Sequence, residues 1–535
     1  MKRPIAWTTC AVAALVASTP PAASAEELTV AVSSEASAID PHYHNLGPNN
    51  QVRRHIFESL VDTDASQRLE PGLAESWEAT DDTTWKFNLR RDVKFHDGSD
   101  FDAQDVIWTL CRIPNVPDAV SPFTIYTKAV ETAETPDPYT LIITTATPYP
   151  LVPTEFSTWG IVPAPDDAAD LTFDKEGCAY AGEWPKTEDY NNGKLAIGTG
   201  PYKFEDYVKG DRLTLTRFDE YWGDKPAWET VVIRPITSDG PRVAALLAGD
   251  VDMIETPPVQ DIPRLEQDPG FKVVSGLSNR VIYLHLDQHG EDTPGITGVD
   301  GNPLLDKKVR HAISAAIDRQ AIVDRLMGGA AVPAAQLLPE SMFGSDPDMK
   351  VQPYDPDLAK KLLEEAGYAD GFGLTIGTPN DRYINDEKVA QAVAQMLTRI
   401  GIQTQIDAST ASVFFKRRNN YEFSVYLAGW GAATGEMSSP LKALVATQDE
   451  AKGYGGTNRG RYSNPELDAL LDQALETIDD AEREALLRKA SRLVIEDYGI
   501  IPLHYEVTPW GLREGLDYEP RADQYTLAFR VTPSS

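Results

Sequence analysis

Residues 72–109 constrain the fold of this chain more than any other stretch. Apolar side chains there alternate with polar ones, which is the period-2 pattern of strands with one buried face. An Asp-Gly pair follows, and Asp102 can then accept from the free amides that open a helix over 103–110. The pattern predicts strand, turn, strand and helix. The alternating apolar positions are Trp85, Phe87, Leu89, Val93 and Phe95.

Farther along the chain, helical and strand patterns follow one another. Residues 386–400 carry an apolar stripe at helical spacing, Gly401 ends it, and residues 402–406 alternate as a strand. Residues 280–286 also alternate and are followed, from position 306, by two successive helical patterns. Such a succession is typical of α/β domains, in which helices cover a sheet.

The first 25 residues predict a signal peptide for export. Two basic residues precede an apolar run over 5–17, and small residues end at Ala25, after which we expect cleavage. The run is too short to span a bilayer, and no later stretch offers about 20 uninterrupted apolar residues. Cys10 lies inside the run without the neighbours of a lipid-attachment site. We therefore expect a soluble periplasmic chain that begins at Glu26.

The composition argues against one class of partner. The chain has 82 acidic and 49 basic residues, which gives a formal net charge of −33. Phosphate binding requires a basic surface, so no nucleic acid is expected as a partner. The acidic excess is interpreted as a solubilising surface.

Cys111 and Cys178 are the two cysteines that remain after cleavage. In an oxidising compartment such a pair predicts a disulfide, and the alternatives are a metal site or a catalytic thiol. His42 and His44 have one residue between them, which is a possible metal pair, but this spacing is common by chance in an extended loop. We expect no metal and no cofactor.

Several motifs resemble those of the family 5 solute-binding proteins of ABC importers, which carry dipeptides, oligopeptides, nickel chelates and related solutes. The resemblance rests on A-E-S-W, W-K-F-x-L-R, V-K-F-H-D-G and F-x-A-x-D-V within residues 72–109, and on G-T-G-P-Y at 198–202. It implies an α/β protein with the two-lobed periplasmic-binding-protein fold, type II, with an extra subdomain and a ligand cleft between the lobes.

The same resemblance gives the expected domain organisation. The amino-terminal and carboxy-terminal segments share one lobe, and a hinge joins it to the other. The expected parts are a signal peptide at 1–25, lobe I from 26–50 with 196–278 and 500–535, the extra subdomain at 51–195, and lobe II at 279–499.

Two functions from different classes fit the chain. The first is a monomeric receptor, not an enzyme, that captures a small peptide-like or other anionic solute and delivers it to the membrane permease of an ABC transporter. The second is a secreted hydrolase that acts on carbohydrate or peptide through two carboxylates. No nucleophile elbow, zinc-protease helix or phosphate-binding loop is present, and paired acids such as Asp81 and Asp82 lie in predicted turns. The sequence therefore favours the receptor and predicts no catalytic residue.

Residues 427–436, LAGWGAATGE, resemble the ligand loop of the family. Peptide-binding members place an aspartate three residues after the tryptophan, where it pairs with the free amine of the peptide, and this chain has Ala433 there. A buried ammonium without a counter-ion is costly, so recognition of an amine by that residue is excluded. Either Glu436 takes over, as in the similar T-G-E of some glutathione-binding members, or the ligand lacks an amine.

The remaining site residues follow from the same resemblance. Trp430 would supply a flat apolar wall, with a core tryptophan as the alternative. Arg382 precedes the helix at 386–400, where dipeptide-binding members place an arginine for the ligand carboxylate, and a solvated loop arginine is the alternative. The predicted ligand residues are Trp430, Glu436, Arg382 and Thr434, with Glu35 and Tyr283 at the cleft edge.

Overall fold

The structure is a computed structural model that describes residues 27–168 and 171–534. The predicted signal peptide and its cleavage after Ala25 lie outside these residues. Within them, no helix combines the length and the apolar character needed to cross a membrane.

The strands and helices are numbered in chain order. The strands are β1 (Glu27–Val32), β2 (Val61–Thr63), β3 (Leu69–Pro71), β4 (Ala74–Asp81), β5 (Thr84–Leu89), β6 (Val130–Asp137), β7 (Thr140–Thr145), β8 (Phe173–Asp174), β9 (Tyr202–Val208), β10 (Arg212–Arg217), β11 (Thr230–Pro235), β12 (Met253–Glu255), β13 (Phe271–Leu286), β14 (Ala331–Pro333), β15 (Phe372–Pro379), β16 (Ile402–Ser409), β17 (Val425–Gly431), β18 (Ile501–Arg513), β19 (Leu516–Tyr518) and β20 (Val531–Pro533). The helices are α1 (Gly47–Ile56), α2 (Ala103–Arg112), α3 (Val152–Glu155), α4 (Thr187–Asn191), α5 (Asp239–Ala248), α6 (Ile262–Gln267), α7 (Lys307–Ala315), α8 (Arg319–Leu326), α9 (Pro356–Glu365), α10 (Asp386–Arg399), α11 (Ala411–Asn419), α12 (Ser438–Pro440), α13 (Pro465–Glu476) and α14 (Asp480–Glu496).

One mixed sheet runs through both lobes. Its strand order is β16-β15-β17-β13-β18-β12-β1-β11-β10-β9, and β14 pairs with β18 beside this path. Lobe I contains strands β1, β9, β10, β11 and β12. Lobe II contains strands β14, β15, β16 and β17. The two long strands between them, β13 and β18, contribute one half to each lobe, so the lobes share the centre of the sheet.

The pairing of β13 with β18 is interrupted where the lobes meet. Their antiparallel register shifts between Leu277 and Val281, after which β13 continues into lobe II and pairs with β17. The side chain of Ser278, which lies in this gap, donates to the carbonyl of Glu506 at 2.9 Å. Residues 277–281 of β13 and the facing part of β18 therefore mark the crossing between the lobes and are called the hinge segment, after the hinge that the resemblance implies.

Lobe II covers both faces of its half of the sheet with helices. Alternate residues of β13 enter opposite clusters, as period 2 requires: Leu284 packs with α7, α8 and α10, whereas Val281 packs on the face that carries α13 and α14. The two helices predicted from position 306 are α7 and α8, which Asp306 and Asp318 cap through their side chains, and Asn464 caps α13 in the same way.

The extra subdomain is a five-stranded sheet in the order β4-β5-β7-β6-β8. The predicted hairpin strand at Trp85 and the helix after Asp102 are both present, and Asp102 and Asp105 form a capping box on α2. The predicted strand through Val93 and Phe95 is wrong. Both side chains are buried, but the backbone makes a tight loop with one isolated bridge between Lys94 and Asp100.

The predicted disulfide is present between Cys111, at the end of α2, and Cys178. Their Cα atoms are 5.6 Å apart, a separation that a disulfide spans without distortion. The bond fastens the irregular segment around Cys178 to the core of the extra subdomain. The domain limits drawn from the resemblance stay predictions.

Candidate functional site

A cleft of about 890 Å³ lies between the lobes and is called the main cleft. Lobe I contributes the turn after β1 and the end of β12, lobe II contributes the loop before α10, and the shared strands β13 and β18 form the floor. The lining is mixed in charge and polarity, which suits a polar solute. It includes Ser33, Glu255, Arg280, Arg382, Glu506 and Tyr525.

Arg382 presents its guanidinium to this cleft from the loop before α10. The buried carboxylate of Asp386 accepts from the backbone amides of Arg382 and Tyr383, at 3.0 Å each, and so fixes the loop. Burial raises the pKa of Asp386. The guanidinium lies 5.3 Å from the Tyr383 ring and makes no ion pair with the described residues. The backbone of the loop is thus fixed, and the exposed guanidinium is free to pair with an anion.

The acids of the floor are already satisfied within the protein. Glu506 is 5% exposed and lies 3.4 Å from Arg280. Glu255 accepts from the backbone amide of Ser33 at 2.6 Å and from the hydroxyl of Thr526 at 2.9 Å. These groups therefore set the shape and polarity of the floor.

The ligand-loop residue Ala433 lines a small cavity that shares Asp523 and Tyr525 with the main cleft. Asn279 in the hinge donates to the side chain of Gln67 at 2.7 Å and to the carbonyl of Ala432 at 2.8 Å. Gln67 in turn donates to the carbonyl of Ala433 at 3.0 Å. The hinge, the extra subdomain and the loop after β17 are thereby joined at one point.

Glu436 and Thr434 line a different cavity, of about 540 Å³, between the extra subdomain and lobe II. The Glu436 carboxylate is buried and paired with the guanidinium of Arg483 at 2.6 Å, and it also accepts from the hydroxyl of Ser438. To serve as the counter-ion of a ligand amine, Glu436 would have to share or give up Arg483. The structure does not bring Glu436 and Arg382 into one cavity.

The other predicted residues lie away from the lining of the main cleft. Trp430 is half-buried against the lobe II cluster beside Val281, and its indole nitrogen is buried without a partner among the described residues. Tyr283 is fully buried in the same cluster. Glu35 accepts from the Tyr207 hydroxyl at 3.0 Å and from the amide of Gly210. Their roles in ligand binding stay predictions.

His42, one of the two histidines considered as a metal pair, is part of a buried ionic cluster. Asp40 and Arg112 form an ion pair at 2.7 Å with both side chains at 0% exposure, and His42 lies 2.6 Å from the same guanidinium. Burial, together with the Arg112 charge, lowers the pKa of His42 to about 3. Among residues 27–168 and 171–534, no group of three or more His, Cys, Asp or Glu has the arrangement of a metal site.

Sequence reasoning missed Arg53, which lines a small cavity together with Ala433. The side chain is 3% exposed, although arginine is almost never fully buried without a partner. A signal for it exists in the sequence, because Arg53 shares a face of the α1 helix pattern with the apolar Ile56 and Phe57. The signal is a charged residue on the apolar face of a helix.

Two lobes that share two strands and enclose a polar cleft define a binding protein of the two-lobed periplasmic type. The sequence matches the profile of the bacterial extracellular solute-binding proteins, family 5 Middle, over residues 68–452. The chain belongs to this family, whose members are solute-binding proteins of ABC importers, and the hydrolase alternative has no support.

The relatives agree with this assignment. The glutathione-binding protein GsiB of Salmonella paratyphi A is 30% identical over 495 residues, which cover 91% of this chain and 90% of that protein. Among solved structures, HbpA2 from Haemophilus parasuis has a TM-score of 0.78 at 24% identity and covers 95% of this chain and 100% of that one. The periplasmic binding protein DppA from Helicobacter pylori, solved with the peptide STSA, has a TM-score of 0.72 at 24% identity and covers 95% and 98%. These two structures show the same fold.

Proposed function

We propose that this protein captures a small peptide-like solute with at least one anionic group in the interlobe cleft, and that it acts in the periplasm as a monomer that delivers this solute to an ABC permease. The observation that carries the proposal is the free guanidinium of Arg382 on the wall of a cleft whose floor acids are already satisfied. GsiB, 30% identical, is named for binding glutathione, an anionic peptide.

The polarity of the cleft supports a ligand that carries both charge and peptide groups. Arg382 offers a planar, two-pronged donor for a carboxylate, and such charge-assisted pairs are stronger than hydrogen bonds between neutral groups. Ser33 and Thr508 add hydroxyl groups to the lining. Such groups orient a short peptide without requiring a particular side chain.

Calorimetric titration with glutathione, a dipeptide panel and an oligopeptide panel tests this proposal. We expect binding by the wild type and a loss of about 10- to 100-fold in affinity for Arg382→Ala, the range for a charge-assisted hydrogen bond. Arg399→Ala, which removes an exposed arginine from the end of α10, is the matched control and should bind normally. Binding of no peptide by the wild type would contradict the proposed ligand class.

The same titration tests whether Glu436 recognises an amine of the ligand. Glu436→Gln removes the negative charge that the resemblance assigned to amine recognition, and Trp430→Leu removes the predicted apolar wall. If Glu436 contacts the ligand, glutathione loses affinity in Glu436→Gln while a ligand with a blocked amine does not. Mass spectrometry of the recovered ligand should find it unchanged, because hydrolysis during the titration would favour an enzyme.

A further inference from the structure

Arg53 is a buried cation without a counter-ion. It lies in the last turn of α1, where the helix dipole favours a positive charge near the surface but does not account for one that is 3% exposed. One guanidinium nitrogen donates to the hydroxyl of Ser59 at 2.9 Å, and Nε has no partner. Among residues 27–168 and 171–534, no carboxylate lies within 4.0 Å of it.

The neighbouring charges do not balance Arg53. Arg54 is paired with Asp62, and Arg521 is paired with Asp523 at 2.7 Å. Each of these pairs is neutral as a unit, so the positive charge of Arg53 stands alone at this end of the cleft. Burial, with the adjacent charge of Arg54, lowers the pKa of Arg53 to about 10, which still leaves the guanidinium charged at neutral pH.

A small cavity adjoins this guanidinium. Its volume is about 30 Å³, which is enough for two water-sized groups. A carboxylate has two such groups. Asp523 and Tyr525 line both this cavity and the main cleft, so the two spaces are neighbours. The other lining groups include Asn45, Thr63, Gln67, Tyr126, Ser157 and Ala433.

We propose that this cavity is a subsite for a ligand carboxylate, with Arg53 as the residue that pairs with it. The inference rests on the proposed function, since it places one end of the captured solute. An unpaired buried charge destabilises a protein, and a bound carboxylate would supply the missing partner. Ala433, which closes the cavity without a charge, leaves room for that group.

A ligand-binding role and a structural role of Arg53 predict different effects of its replacement on the Tm of the ligand-free protein. If Arg53 is kept for the ligand, replacing it with an apolar side chain of similar length removes an uncompensated charge from the ligand-free protein. Arg53→Met should therefore leave the Tm of the ligand-free protein unchanged or raise it. If Arg53 held the fold together, the same variant would lower the Tm.

Titration of two matched peptides separates the carboxylate from the rest of the ligand. The probes are N-acetyl-dialanine, which has one carboxylate and no amine, and its carboxy-terminal amide, which has neither. We expect Arg53→Met to lose about 10- to 100-fold in affinity for the acid and nothing for the amide. Arg53→Lys should keep part of the affinity for the acid, and Arg399→Met is the control for a lost charge at the surface. Equal affinity of wild type and Arg53→Met for the acid would overturn the assignment.

A second measurement decides the question even if no peptide binds. Sodium acetate should raise the Tm of the wild type more than sodium chloride at equal ionic strength, and this difference should vanish in Arg53→Met. Equal shifts in the two proteins would mean that the cavity holds water only, which would also overturn the assignment. Failure of all peptides together with an acetate effect on the wild type alone would reject the proposed ligand class and keep the anion subsite.

Discussion

At the scale of single residues, only one member of the pair of Glu436 and Arg483 could be predicted from the sequence. The resemblance drew attention to Glu436, but its partner lies 47 positions later in α14 and carries no motif. Both side chains are almost fully buried, so their charges depend on each other. A motif identifies a residue type at a position, whereas the charge it meets is decided by packing of distant elements.

We predict that Arg483→Met lowers the free energy of unfolding by about 3 to 5 kcal/mol, because it leaves Glu436 buried without a counter-ion. Denaturant unfolding of the whole protein, followed by circular dichroism, measures this loss.

The control is the double variant Glu436→Gln with Arg483→Met. Removing both charges should restore most of the lost stability. If the double variant is as unstable as Arg483→Met alone, the packing of the arginine stem and not the ion pair is responsible.

At the scale of elements, the sequence patterns predicted α2, α7 and α8 because each begins at a capping side chain, and α10 because it carries an apolar stripe. The strand predicted at Val93 and Phe95 failed because a loop can also bury alternate side chains. The sequence pattern predicted only the second half of β13. Its first half has no fully buried positions before Ser278, so no alternation marks it.

The capping box of α2 gives a second prediction. Asp102 accepts from the amide of Gln104 at 2.7 Å, and Asp105 accepts from the amide of Asp102 at 2.9 Å. Asp102→Ala should cost about 1 kcal/mol of local stability. Hydrogen exchange of the amides in the first turn of α2 should quicken accordingly, while the exposed Asp82→Ala serves as the control and should leave them unchanged.

The disulfide gives a third prediction. It closes a loop of 67 residues, for which the chain-entropy relation gives about 4 kcal/mol of stabilisation. The double variant Cys111→Ala with Cys178→Ala should lose about that much stability in the extra subdomain.

Thiol labelling is the control for this bond. The unreduced, denatured protein that begins at Glu26, which lacks Cys10, should show no reactive thiol. Two reactive thiols would contradict the disulfide.

At the scale of the whole molecule, buried titratable groups set the dependence of stability on pH. Four buried histidines and the half-buried His96 have a lowered pKa because burial disfavours their charged form. They are neutral in the folded protein, so the stability they contribute is present above about pH 6.5, the ordinary pKa of histidine, and is lost as the pH falls towards the folded values. These values are about 3 for His42 and His285 and about 4 for His55, His96 and His504.

Three acids have the opposite effect on the dependence of stability on pH. Burial raises the pKa of Glu58 and Asp105 to about 7 and that of Glu155 to about 8. Their protonated forms belong to the folded state, so the stability they contribute is present at low pH and is lost as the pH rises through 7 to 8. We predict that the Tm of the ligand-free protein is highest near pH 6 to 7, between the two sets of pKa values.

Melting curves across the pH range measure this optimum. Glu155→Gln keeps the hydrogen bond from Tyr149 and should flatten the decline on the alkaline side. A Tm that begins to fall only below about pH 4.5, where surface carboxylates titrate, would contradict the role of the histidines.

The hinge in β13 and β18 predicts a change of shape on binding. A ligand that contacts both walls of the cleft stabilises the arrangement in which they are close together. Small-angle scattering with glutathione at saturation should give a smaller radius of gyration than the free protein. An unchanged radius would count against a hinge.

The position of β18 also governs when this protein can fold. It starts at Ile501, near the end of the chain, yet it pairs with β12, β13 and β14 at the middle of the large sheet. A growing chain that has not yet reached residue 501 lacks the strand that joins the sheets of both lobes. Long-range pairing of this kind is slow and comes late. Each lobe can therefore pair its own strands earlier, but the nascent chain cannot complete the large sheet until synthesis is almost finished.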